Sequence, residues 1–435
     1  MTDSARDAEP LRAALEQLAS YPLLSALYGR RSRRFPLGGE LPDGPLAYRS
    51  RHEAVPLSEL ERNLVLTSMG GTTGWHYAIM RHERYAPFLS NYAGGAAGRT
   101  FPSAAGFHTA ELFFTDDSGT FFFPTRDAGA LVDPSDEELT PELMIERHAS
   151  RIRQLSPQRI HLPRAEPYME GHNTWIANAP GSLLVIPVAD VAQHAIANLC
   201  FFTQNGYSIY DDVNGVRIPG MERFRPIVDV DDPLPLTFLE QYSLTEATAE
   251  LATSAFAGTL ILQAMGLGGW MFDGIERLTM LGASGDPEVP GLGFRFDEDE
   301  RWPMANPTGL RGVFEAFCPP HHPDMRAAVE ALAERKFGPG GVYHPDTPGA
   351  WRESDRIRGS AQPYTEQFKE CVAVQAQYVF DAFGKYPGTV PTLFIMNYVQ
   401  AQHIDTGFYD RFFKPGAYLS THAEHMRTWH PERDR

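Results

Sequence analysis

Arg30, Arg31, Ser32, Arg33 and Arg34 put four guanidiniums into five residues. Like charges this close repel, and one reading is a solvated face. The other reading rests on alternation. In an extended chain Arg30, Ser32 and Arg34 fall on one side. Two guanidinium forks and a hydroxyl are a donor set suited to a phosphate. Lysine occurs only at 336, 369, 385 and 414. An anion site before residue 336 must therefore use arginine, histidine or backbone N–H groups. A second stretch, "RTFPSAAGFHTAEL", clears bulk away just before a strand, at Pro102, Ser103, Ala104, Ala105 and Gly106. Small residues there allow either a tight loop packed on a helix or the edge-on approach of a flat ring. A third, "AMGLGGWMFDGI", reads as a helix closing on glycines and running into Asp273 and Gly274. Near the end stand His403, Asp405, His422, His425 and His430. His–x–Asp and His–x–x–His can ligate a metal. These spacings match no strong metal pattern, so surface or interface histidines are expected and no metal is assigned.

These segments need elements to hold them. "PLSELERNLVLTSMGG" predicts a helix opened by a Ser58–Glu61 capping box and ended by Gly70 and Gly71. "ELFFTDDSGTFFFP" predicts a hairpin turning at Asp116–Gly119. Residues 182–190, "SLLVIPVAD", predict a buried strand despite Pro187, and "VPGLGFRF", 289–296, a further one. A long helix is predicted from a Ser243–Glu246 capping box to Gly266, with a first half rich in alanine. Further helices are expected over 10–29 with a break at Pro22, around 137–155, and over 324–336 and 362–384. No GxGxxG follows a strand and no Walker sequence occurs, which argues against a Rossmann or P-loop site.

The chain has 435 residues, 43% of them hydrophobic, with a formal net charge of −17. That charge argues against nucleic acid and against an anionic membrane surface as the main partner. Three separated cysteines without a CxxC fit a reducing compartment. There is no run approaching the length of a membrane span. A cytoplasmic protein is expected.

In their order and spacing, the segments over roughly residues 24–315 resemble the FMN-dependent nitroreductase family. "RRSRRF" looks like its Arg–x–Ser–x–Arg phosphate segment, with Phe35 one place early. "PSAAGFHTAELFF" is similar to the Pro–Ser–Ala–Gly segment along the isoalloxazine, and "PGSLLVIPVAD" to the central strand. "ILQAMGLGGWMFDGI" with "LGASGDPEVPGLGF" resembles the stretch whose backbone N–H meets flavin N5. The spacing Pro102–Ser103–Ala104–x–x–x–His108–x–x–Glu111 resembles most the azoline dehydrogenase branch, which oxidises thiazolines and oxazolines. Thr109 stands where that branch usually has proline. Its Lys–Tyr pair has a counterpart only in Lys385–Tyr386, outside the matched stretch, and that role is not carried over. The Asn and Gln that general nitroreductases often show after the small residues are missing as well.

The resemblance implies an α+β, nitroreductase-like fold: a central, mostly antiparallel sheet flanked by helices. The chain would divide into an N-terminal segment 1–23, an FMN-binding domain 24–319 and a helical extension 320–435 acting as lid or dimer arm. It implies bound FMN, with the phosphate on Arg30, Ser32 and Arg34, joined by Arg311 of "GLRG". Pro102, Ser103, Ala104, Ala105 and Gly106 would lie along the ring. A backbone N–H at Asp273 or Gly274 would meet N5, because an ionised Asp is an acceptor only. His108 would stand with these two among the catalytic residues. The implied activity is an FMN-dependent oxidoreductase, a dehydrogenase of peptide natural-product metabolism transferring hydride at N5. The alternatives are an NAD(P)H-dependent nitro or quinone reductase, and a non-catalytic flavin-fold scaffold. A small-molecule or peptide substrate and a homodimer are expected, without nucleic acid or membrane.

Overall fold

Two aromatic runs build the centre of the molecule. In the computed structural model, which describes residues 12–431 apart from 78, 80, 86–87 and 127–139, they form strands β1 (Ala110–Asp116) and β2 (Gly119–Phe123). The turn between them is held by Asp116, whose Oδ1 accepts the Ser118 N–H at 2.8 Å. Four further strands join: β3 (Arg153–Ser156), β4 (Leu183–Asp190), β5 (Gly268–Phe272) and β6 (Tyr398–Gln402). The order is β5-β6-β4-β1-β2-β3, all neighbours antiparallel, with Leu393–Phe394 pairing beside β4. Pro187 sits in central β4 and is tolerated there, opposite Leu112.

Alternate residues of these strands feed two cores, as a period of two demands. Leu112, Phe114, Phe121, Phe123, Leu183 and Val185 pack under helices α2 (Glu59–Gly70) and α5 (Leu236–Met265). Phe113, Phe122, Leu184, Ile186 and Val188 face helices α4 (Val191–Gln204), α6 (Met325–Phe337) and α7 (Glu366–Phe383). The result is a mixed helix-and-sheet architecture of three layers. None of the described helices is long and apolar enough to cross a membrane.

The α2 capping box forms as predicted, with Ser58 Oγ and the Glu61 carboxylate exchanging bonds with each other's backbone N–H. Other expectations shift. Helix α5 starts at Leu236, seven residues before Ser243. Ser243 is mid-helix and donates to the Leu239 carbonyl, while Glu246 accepts from Asn198. Of 289–296 only the end is strand, at Arg295–Asp297. Residues 12–19 are helical, and Leu23–Gly29 (α1) resumes after the break. Around 137–155 the helix is Pro141–Ala149; residues 137–139 lie outside the described residues, and 153–155 enter β3. The division at 319/320 is not a packing boundary. Strand β6 lies between β5 and β4, and α6 and α7 cover one face of the sheet. Strand β6 and helices α6 and α7 of this segment are thus part of the central layers, not a lid or arm attached to them.

Gly266 closes α5 in the left-handed region at φ +85°, and a Cβ there would stand 2.1 Å from the Thr421 carbonyl oxygen of helix α9 (Ser420–Trp429). Gly266→Ala is expected to cost about 2–4 kcal/mol, from left-handed strain and overpacking together. Urea denaturation checks it: an unchanged midpoint would mean that α9 does not pack there.

Candidate active site

Helix α5 is the rail along which the candidate residues are arranged. Its Phe256 carries the Arg30 guanidinium 5.9 Å from its ring centroid. One turn earlier, Thr253 donates to the Pro102 carbonyl at 3.2 Å. Positions three apart share a helix face, so the phosphate-type segment and the small-residue stretch meet α5 side by side. The arginine segment does not alternate strictly, because Arg31 is exposed along with Arg30 and Ser32. Arg30 and Ser32 are exposed and Arg34 is half-buried, its guanidinium 4.9 Å from the Trp270 centroid. Arg33 turns inward, donating to Gln263 Oε1 and the Ala417 carbonyl, each at 2.8 Å, and its own carbonyl takes the Gly269 N–H.

Ala104–Gly106 form a 3₁₀ turn, not an extended edge, closed by the Phe107 N–H on the Ala104 carbonyl. Gly106 has φ +69°, and a Cβ there would stand in ordinary contact with Ala93 Cβ at 3.9 Å. His108 anchors this turn to α5. Its Nε2 lies 3.2 Å from Ser103 Oγ and its Nδ1 3.8 Å from Glu250 Oε1. Glu250 is buried and accepts the Thr109 and Ala110 N–H groups. Burial alone would raise its carboxyl, but bonds with His108 and His194 hold it below the usual carboxylate range. Burial pushes the His108 imidazole down, with Glu250 opposing. His108 is therefore a positioning residue for the small-residue turn.

Past this turn α5 lines a cavity of about 250 Å³, where Glu246 and Tyr242 face Ala104, Phe107, His194, Asn198 and Lys336. Lys336 is the chemically distinctive member. It is 3% exposed, and its ammonium donates to the Asn91 carbonyl and to Tyr364 Oη, the latter at 3.0 Å. Burial pushes its pKa down to about 8. Sequence reasoning missed both residues, since 28 positions separate Lys336 from Tyr364 and neither lies in a motif. The adjacent pair Lys385–Tyr386 is structural instead. Lys385 donates to the Pro387 and Val390 carbonyls, and Tyr386 is buried.

Three expectations are corrected. The Gly274 N–H is already engaged by Asp273 Oδ1 at 2.8 Å, and Asp273 Oδ2 pairs with Arg277 at 2.7 Å. Of the two amides expected to meet N5, at Asp273 and Gly274, the second is thus occupied by the Asp273 carboxylate. A Cβ on Gly274 would meet Asn173 Nδ2 at 2.5 Å, so this turn packs against protein. Arg311 cannot join the phosphate segment. Arg153 of β3 donates to Gly312, placing Arg311 at one edge of the sheet, whereas Arg33 bridges Gly269 at the other. Five strand spacings between those edges are about 24 Å. The late histidines are not at the surface: His403, His422, His425 and His430 are buried, three of them around Glu61, while Asp405 caps the short helix 406–412 (α8).

No family model matches the chain, and no curated protein is similar to it. Among solved structures, a candidate nitroreductase of Ralstonia eutropha JMP134 aligns over 58% of this chain and 70% of its own. The identity is 13% and the TM-score 0.25.

Proposed function

We propose that this chain is an FMN-dependent oxidoreductase, and within that class a dehydrogenase of small molecules or peptides bearing a thiazoline or oxazoline ring. The observation that carries the reading is the α5 face. It carries Arg30 at Phe256 and the small-residue turn at Thr253, and farther along it lines the cavity that Lys336 borders. The donor chemistry fits the cofactor. Arg30 and Ser32 are exposed, and Arg34 is oriented by Trp270.

Bound FMN would supply hydride transfer. Arg30, Ser32 and Arg34 would hold its phosphate, and Pro102, Ser103, Ala104 and Gly106 would flank its ring. Tyr364 and the Asn91 carbonyl hold the Lys336 amine at the cavity wall. With its pKa near 8 that amine can take a proton from a substrate as hydride leaves. Asn198, Gln204 and Glu246 offer polar groups for orienting the substrate. With Gly274 engaged, no N5 contact is assigned to it.

The reading includes a homodimer. Leu23, Leu24 and Tyr28 of α1 are 66%, 65% and 80% exposed just before Arg30, and Phe256 continues the apolar surface. Such a patch is what a two-fold interface removes. The purified protein is expected to show flavin absorbance and, by light scattering, twice the chain mass. A colourless protein that takes up no added FMN would end the flavin reading. A monomer with FMN bound would end only the dimer.

A further inference from the structure

We propose that Glu61, His403, His425 and His430 form a closed, four-ligand site for a divalent transition metal, zinc by its ligand chemistry, which fastens the C-terminal helix to the body of the protein. Four places in the fold supply the ligands: the first turn of α2, the residue after β6, the middle of α9 and its C-cap. Glu61 Oε1 lies 3.1 Å from His403 Nε2, 2.7 Å from His425 Nε2 and 3.0 Å from His430 Nε2. His403 and His430 place their Nε2 atoms 3.1 Å apart. All four ligand atoms lie within 4.8 Å of one another. A tetrahedron with bonds of about 2.0–2.1 Å has edges near 3.3 Å, close to the four contacts of 2.7–3.1 Å, and an ion at the centre would draw the wider pairs together.

Hydrogen placement argues for a cation. His403 Nδ1 stands 2.9 Å from the Val55 carbonyl, and His425 Nδ1 2.7 Å from the Met265 carbonyl. A carbonyl only accepts, so both Nδ1 atoms carry hydrogen, and in neutral imidazoles both Nε2 atoms then present lone pairs. Those lone pairs face a carboxylate oxygen in a place where no ligand residue is more than 6% exposed. Protons could fill the gap only if histidinium ions crowded one oxygen, and the contact between His403 and His430 denies a hydrogen to one of its two nitrogens. A metal ion satisfies every lone pair at once. The outward Nδ1 bonds are the second shell that orients metal-bound histidines. Glu61 has its own second shell, because Oε2 accepts the Ser58 N–H at 2.6 Å. The capping-box glutamate of α2 therefore serves two purposes with its two oxygens.

Three imidazoles and one carboxylate suit zinc among the available divalent ions, and four buried protein ligands leave no open position. The site is structural, and its binding free energy adds to folding. It is independent of the flavin reading.

The test is metal analysis of the full-length protein purified without added metal. About one equivalent of zinc per chain is expected, falling at least roughly tenfold in Glu61→Gln and in His430→Ala. His422→Ala changes a buried histidine of the same helix outside the cluster, and should keep the metal. Should the ligand variants fail to fold, the wild type decides: stripped with chelator and reloaded with Co²⁺, it should show the intense visible bands of a tetrahedral site. The proposal is overturned if the wild type carries no metal and gives no such spectrum, or if both ligand variants keep full stoichiometry.

Discussion

Arg30→Ala combined with Arg34→Ala is expected to weaken FMN binding by at least about a hundredfold. Each charge-assisted contact to a phosphate is worth roughly 1.5–3 kcal/mol, and 1.4 kcal/mol is a factor of ten. The two positions differ in what else they do. Arg30 is exposed and its only described ring contact is with Phe256 at 5.9 Å, so Arg30→Ala alone should lose about tenfold in affinity with little change in melting temperature. Arg34 is half-buried against Trp270, and its loss should also loosen the start of β5. Flavin fluorescence titration gives the affinities, and thermal unfolding separates the structural part. An unchanged affinity in the double variant would remove the phosphate assignment. A tenfold loss from Arg311→Ala would do the same, since that side chain stands at the far edge of the sheet.

What could be read from the sequence was local. The hairpin showed because two aromatic runs flank a turn whose Asp116 serves its own following backbone. The α2 cap showed because its partners are three residues apart. The start of α5 was misplaced because Ser243–x–x–Glu246 copies a capping box while both side chains serve other ends. Strand β6 was invisible for a physical reason. It buries Gln400 and Gln402, which break any hydrophobic pattern, and the fold satisfies them by bonds to the Ile176 and Arg34 carbonyls and to one another. The late histidines stood out, but their convergence on Glu61 did not, because Glu61 and His403 are 342 positions apart. Spacing rules find metal sites carried on one loop or helix, and this one is assembled by the sheet.

Lys336→Met is expected to reduce dehydrogenation by about 10²–10⁴-fold while leaving bound flavin in place. The side chain lies at the cavity with Tyr364 and the Asn91 carbonyl taking two of its three hydrogens, so the third position is left for substrate. The sign of the pH dependence follows from its depressed pKa of about 8. Only the neutral amine is a base. Turnover of a thiazoline-bearing peptide should therefore fall below about pH 8 and level off above it. Folding is linked in the same direction. Between about 8 and the ordinary lysine value the unfolded chain holds a proton that the folded one does not, so stability rises with pH across that window. Lys336→Arg keeps a cation that cannot deprotonate and should be as slow as Met, which separates proton transfer from charge. Tyr364→Phe removes one hydrogen-bond partner and should displace the pH profile without abolishing turnover. If Lys336→Arg runs at the wild-type rate, or the profile of the wild type is flat through pH 8, the amine is not the base. The cavity would then have to work through Glu246, its acidic lining group.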